Sequence, residues 1–196
     1  MRVRNILVLA MATFLLAGCG AVNAGSAATV AGTEISESAL AAAMNELTAE
    51  VSATELGASE AELTTTVLNR LVILEVVRNL GAEAEVNVSE SEIAAERSRV
   101  TADFGSEAEL IEAGLQQAIP PSLINSVFEI SLYVSKIGTK LQPSGSETDK
   151  SAAFESFLFA WVDTANVEVS PRYGQWDKAQ AAIGPTTNPL VFSPQE

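Results

Sequence analysis

One thiol, two tryptophans and many carboxylates are what this chain offers for chemistry, and it has no histidine. The commonest general base and the commonest metal ligand are therefore both missing. A serine nucleophile needs a base beside it. No serine sits in a Gly-x-Ser-x-Gly elbow, and no glycine-rich run is built to cradle a phosphate. The acids of "GASEAE" (57–62) and "SESE" (89–92) lack the alternating ligand spacing of a calcium loop. A serine followed three residues later by Glu is instead the signature of a helix start. The expectation is a protein that is not an enzyme, with no cofactor and no metal centre.

The thiol, Cys19, stands in a particular place. Arg2 and Arg4 precede an apolar run, "ILVLAMATFLL" (6–16), which is too short to span a bilayer and has the length of a signal-peptide core. "LAGC" (16–19) follows directly and resembles a bacterial lipobox, in which Leu, two small residues and an obligatory Cys mark the cut. The resemblance implies that residues 1–18 are a lipoprotein signal peptide. Cys19 would then become the mature N-terminus, lipidated on its sulfur. Buried acyl chain contributes about 0.8 kcal/mol per methylene, so two or more chains suffice to hold a protein on a membrane. The expected location is the extracytoplasmic face of a cell membrane, lipid-anchored.

Charge narrows the partners. The chain of 196 residues carries a formal charge of −14, and loss of residues 1–18 removes two arginines and no acid, giving −16. Nucleic acid needs Lys and Arg for its phosphates and is excluded as a partner. An acidic body is also held off anionic headgroups, so the membrane contact is expected through lipid alone. The length suits one domain with a core of ordinary size.

The elements that must carry this surface are mostly helical. "GAVNAGSAA" (20–28) reads as a flexible tether, so that the tether spans 19–28. "ATVAGTEI" (28–35) reads as strand, Ala-Gly turn and returning strand. Ser36 opens a first helix with Leu40, Met44, Leu47 and Val51 on its apolar face, ended by Gly57. Ser59 with Glu62 caps a second, apolar over more than half its circumference and therefore central, with Gly81 as its stop. Ser89 with Glu92 caps a third, to about Phe104, and a fourth fits 106–119. Pro121 starts a fifth, through about Leu141. "QPSGSETD" (142–149) is a linker, and a sixth helix covers 150–163. "NVEV" (166–169) alternates like a strand, and 178–196 reads as a loose tail after a weak helical segment. The fold class is mainly α: one domain over 29–177, about six helices, with a strand pair or triplet joining its two ends.

"EVSPRYGQWD" (168–177) departs from all of this, placing a proline, an arginine, a glycine and two aromatics within six positions. It reads as a clasp. Pro171 stops the strand, Gly174 turns the chain, and Tyr173 and Trp176 pack back over the helices. The competing reading is a ligand site on Arg172 and Trp176.

Three stretches then align with one family. "ATVAGTEISESAL" (28–40) resembles the opening of the SurA/PrsA-type extracytoplasmic chaperones. "LNRLVILEVVRNLGAEAEVNVSESEIAAE" (68–96) resembles their second signature, with Glu75 as the acid of a hydrophobic helix ending at Leu-Gly. "VEVSPRYGQWD" (167–177) resembles the closing segment of lipoprotein members. Many relatives carry a parvulin-type prolyl isomerase between these parts. Here 105–148 reads as two helices and a linker, with no strands for that sheet and no His. The resemblance implies a chaperone-like body that binds non-native or newly exported polypeptides without isomerase activity. The alternative is an adaptor lipoprotein that binds one folded envelope partner. Helices two and five each carry a second apolar face, which either lies in the core or lines a groove for clients. Ile124, Phe128 and Leu132 are the candidate client-binding residues, and an acidic rim would favour basic segments in a salt-sensitive way.

Overall fold

The structure is a computed structural model and describes residues 25–185. The order is β1 (Ser26–Val30), β2 (Thr33–Ser36), α1 (Glu37–Glu50), α2 (Glu60–Glu83), α3 (Glu90–Phe104), α4 (Glu107–Leu115), a 3₁₀ turn (Pro121–Leu123), α5 (Ile124–Leu141), α6 (Glu147–Thr164), β3 (Val167–Val169), β4 (Gln175–Asp177) and β5 (Ala182–Gly184). The expected class holds: six helices, mainly α, with strands at both ends.

Helix starts follow the serines. Ser59, Ser89 and Ser146 each accept a bond from the backbone N–H three residues on, and the acid at that position reaches back. Ser36 and Ser106 cap α1 and α4 from the side chain alone. Each cap satisfies backbone donors that the first turn leaves orphaned, worth about 0.5–2 kcal/mol. The cap at Ser146 moves the start of α6 three residues into the segment expected as linker.

β1 lies between β2 and β3 in an antiparallel sheet, with Val30 opposite Thr33 on one side and Val167 on the other. The N-terminal strand and Val167–Val169 therefore pair, as expected. Ala31 and Gly32 form the hairpin turn with φ of 48° and 89°, both in the left-handed region that a two-residue hairpin loop demands. β1 begins inside the expected tether: Ser26, Ala27 and Ala28 are buried. Their small side chains signal flexibility in a sequence, but here they let the strand sit close beneath α2.

α2 is the central helix, packed on α1, α5, β1, β2 and β5. Nine of its residues are buried, on more than one face, from Leu63 to Gly81. Gly81 is not its stop. The helix runs on to Glu83, and a Cβ at 81 would meet the Tyr133 ring, with Cδ1 at 2.8 Å. The glycine is there for close approach of α5, and the left-handed residue that ends the turn is Glu85, φ 50°. Similarly, α1 ends at Glu50, and Gly57 closes the turn that follows it.

The last correction is at the C-terminal end. Residues 178–185 are no loose tail: β5 pairs with β4, Trp176 opposite Ile183. Asp177 Oδ1 accepts from the N–H of Ala179 at 2.8 Å and shapes the turn, and Ala181 takes φ 47°. Strands of three residues have too few positions to show a period, and an alanine in the left-handed region gives no sequence warning.

Candidate functional site

The closing segment is built as a clasp. Tyr173 sits at the C-terminal side of Pro171 and donates its hydroxyl to Glu37 in the first turn of α1. Arg172 Nη1 lies 3.4 Å from the other oxygen of Glu37, and its guanidinium stands 5.8 Å from the Tyr173 ring centre. Thr65 of α2 donates to the Tyr173 carbonyl at 3.0 Å, and the Ile183 N–H donates to Asn69 Oδ1 at 2.9 Å. Desolvation, and then the bond to Glu37, push the Tyr173 phenol above its ordinary pKa. Gly174, φ 134°, is held against β5, where a Cβ would lie 2.7 Å from Ile183 Cγ2. Trp176 is buried in the main core, and its Nε1 has no hydrogen-bond partner among the described residues. One short segment thus ties α1, α2 and the β4–β5 hairpin together.

The candidate client residues fall elsewhere. Ile124 and Phe128 are buried with Leu110 and Ile119 in a second core cluster, roofed by Ile93 and Val100 of α3 and Ile111 of α4. They do not line an open groove. The sequence shows that this face of α5 is apolar; it does not show that α3, which buries no residue fully, folds over it. Leu132, one turn past Phe128, keeps intermediate exposure. Cys19 and the signal peptide assigned to 1–18 lie outside the described residues, as does 186–196.

Partly exposed apolar side chains gather instead on α6. Phe157, Leu158, Phe159 and Trp161 all have intermediate exposure while packing against the main core. Phe157 and Trp161 are one turn apart and share a flank. α5 and α6 run antiparallel and close, with Lys150 O 2.8 Å from where a Cβ on Gly138 would sit. Ile130 of α5 is also half-buried and packs against the same main core as Phe157 and Trp161. The sequence held a signal for this surface: apolar residues at 154, 157, 158, 159, 161 and 162 are too many for one buried stripe.

Charge is distributed in pairs around these surfaces. Arg78 of α2 bonds Glu129 of α5 through Nε at 2.7 Å and Nη2 at 2.9 Å, and Glu75 through Nη1 at 2.6 Å. The Glu129 bond is the main reason its pKa is raised. Lys136 bonds Glu92 at 2.7 Å and the Asn87 carbonyl at 2.5 Å. Lys136, with the Ser89 cap, holds the Glu92 carboxyl down at about 2. Among the described residues no group of three or more His, Cys, Asp or Glu is placed to hold a metal ion, and no helix is long and apolar enough to cross a membrane.

The model of a family described as the SurA-like N-terminal domain matches residues 2–125, from before β1 to the start of α5. No curated protein and no solved structure matches the chain.

Proposed function

The chain belongs to the SurA-like N-terminal domain family, and from that premise we propose that it is a lipid-anchored extracytoplasmic chaperone-like protein that binds non-native or newly exported polypeptides without isomerising their prolines. The family match carries the reading. The chemistry supports it: the chain has no histidine, and Glu62, Glu92 and Asp149 are used in helix caps.

The client surface on this reading is the α5–α6 flank around Phe157 and Trp161. Partly exposed aromatics bring large apolar area at little entropic cost. The acidic surroundings favour clients with basic segments, and high salt weakens that preference. Anchoring rests on Cys19: Cys19→Ser loses the acyl acceptor and should leave the membrane fraction or stay uncleaved. If the variant fractionates and migrates like wild type, the anchor is not on that sulfur.

In living cells, a photo-crosslinker at Phe157 should capture many unrelated exported chains, and one at the buried Phe128 should capture few. A single stoichiometric partner at Phe157 would favour the adaptor alternative.

A further inference from the structure

β1 begins at Ser26, and Gly25 before it is already tied to the fold: its carbonyl accepts from the Glu37 N–H at 2.8 Å. Cys19 stands six residues before Gly25. Whatever conformation that stretch takes, six steps of at most about 3.6 Å reach no further than about 22 Å. The polar headgroup layer of a bilayer takes up about 5–8 Å of this. About 15 Å is left between the membrane surface and Gly25. A compact body of about 160 residues is about 40 Å across, and β1 alone, five residues long, advances the chain by about 17 Å. A body held by lipid on Cys19 therefore cannot turn end over end.

The two ends of β1 meet different parts of the fold. At its start, the Ser170 N–H donates to the Ala27 carbonyl at 2.9 Å, and Glu37 opens α1. Tyr173 donates to Glu37, and Arg172 Nη1 lies 3.4 Å from it, so the clasp stands at this end. Past the other end of β1, the Ala31 N–H donates to the Asn166 carbonyl at 2.9 Å. Asn166 closely follows α6, and the Ala165 N–H donates to the Trp161 carbonyl at 2.8 Å. The last turn of α6, with Trp161, is thus fixed at the hairpin end. The length of β1 separates it from the clasp.

We propose that the short tether orients this protein on the bilayer: the Gly25 end, with Glu37 and Arg172, faces the phospholipid headgroups, and the Trp161 end of the α6 flank points away from them. A polypeptide then reaches Trp161 without meeting lipid. Glu37, at the facing end, is met by both Arg172 and Tyr173, which lessens its repulsion by anionic headgroups. No adhesion is needed, because the reach of the tether excludes the inverted pose. The proposal rests on the lipid anchor at Cys19, and the test separates the two.

Lipidation of Cys19 uses the one thiol of the chain. A cysteine introduced at Ser38 or at Thr164, both exposed, then carries the sole dye. Each full-length variant, shown folded by circular dichroism, is purified from membranes and reconstituted into phosphatidylcholine vesicles with a small share of acceptor-labelled lipid. Energy transfer to the lipid should be several-fold faster from Ser38→Cys than from Thr164→Cys. About twenty Gly and Ser residues inserted between Ala24 and Gly25 add about 25 Å of mean reach and should bring the two rates together. Equal rates on the natural tether leave the anchor standing and overturn the orientation. A difference that survives the insertion overturns the tether as its cause. No transfer from either site, with the protein free of vesicles, overturns the anchor and the orientation with it.

Discussion

Tyr173 and Glu37 are 136 residues apart in sequence and joined by a hydrogen bond. The contact fastens the closing segment to the first turn of the first helix, beside the β1–β3 pairing that joins the same two ends. Tyr173→Phe deletes only the hydroxyl and leaves a carboxylate short of a donor. It should cost about 1.5–3 kcal/mol, as for a bond to a charged group. Arg172→Ala, at an exposed side chain, should cost about 0–1 kcal/mol. Urea unfolding of both variants tests the ranking.

Trp176 is the larger element of the clasp. Trp176→Ala should cost about 3–5 kcal/mol, because the ring is buried in the main core. Trp176→Phe should cost much less than the lost volume alone suggests, since it also removes an indole N–H that has no partner among the described residues. Client binding by both variants, below their melting temperatures, should match wild type. A binding loss with unchanged melting would make this segment a ligand site.

Gly81→Ala puts a methyl into the ring of Tyr133, where α5 crosses α2. The expected cost is about 1–3 kcal/mol of overpacking. In a double-mutant cycle with Tyr133→Ala, the methyl should be tolerated better than in the wild type, because the ring it strikes is gone.

The Gly81 contact also marks the boundary of what was legible. Helix starts were readable because a cap is a local device: Ser and Glu three apart satisfy the same backbone donors anywhere. The pairing of the two ends and the clasp role of Pro171, Gly174 and Trp176 were readable for the same reason, through residues whose backbone or bulk admits few uses. The sequence left Ile124 and Phe128 open between core and groove because burial of a face depends on which element folds over it, and no spacing within α5 encodes α3. Ser26–Ala28 and 182–184 were misread because small residues and three-residue strands carry almost no period. The flank of Phe157 and Trp161 was visible only as a surplus of apolar positions.

Acid should weaken the α3–α5 junction in a defined window. The folded Glu92 carboxyl sits at about 2, below its usual 4.5, chiefly through Lys136 and then Ser89. The unfolded chain therefore binds more protons between these values. The stabilisation is full above about 4.5 and is lost as pH falls toward 2. Lys136→Gln should melt below wild type at neutral pH, and the gap should close across that window. A gap independent of pH would show that Lys136 acts through packing alone.

The central claim is that this protein holds non-native chains on a partly exposed apolar flank. The direct measurement is light scattering of three unrelated, chemically unfolded proteins diluted into buffer with the purified protein or with its Phe157→Ala/Trp161→Ala variant, each first shown folded by circular dichroism. The account predicts that the wild type suppresses aggregation of all three and that the variant is weaker on each. Unchanged aggregation of all three with the folded wild type would contradict it.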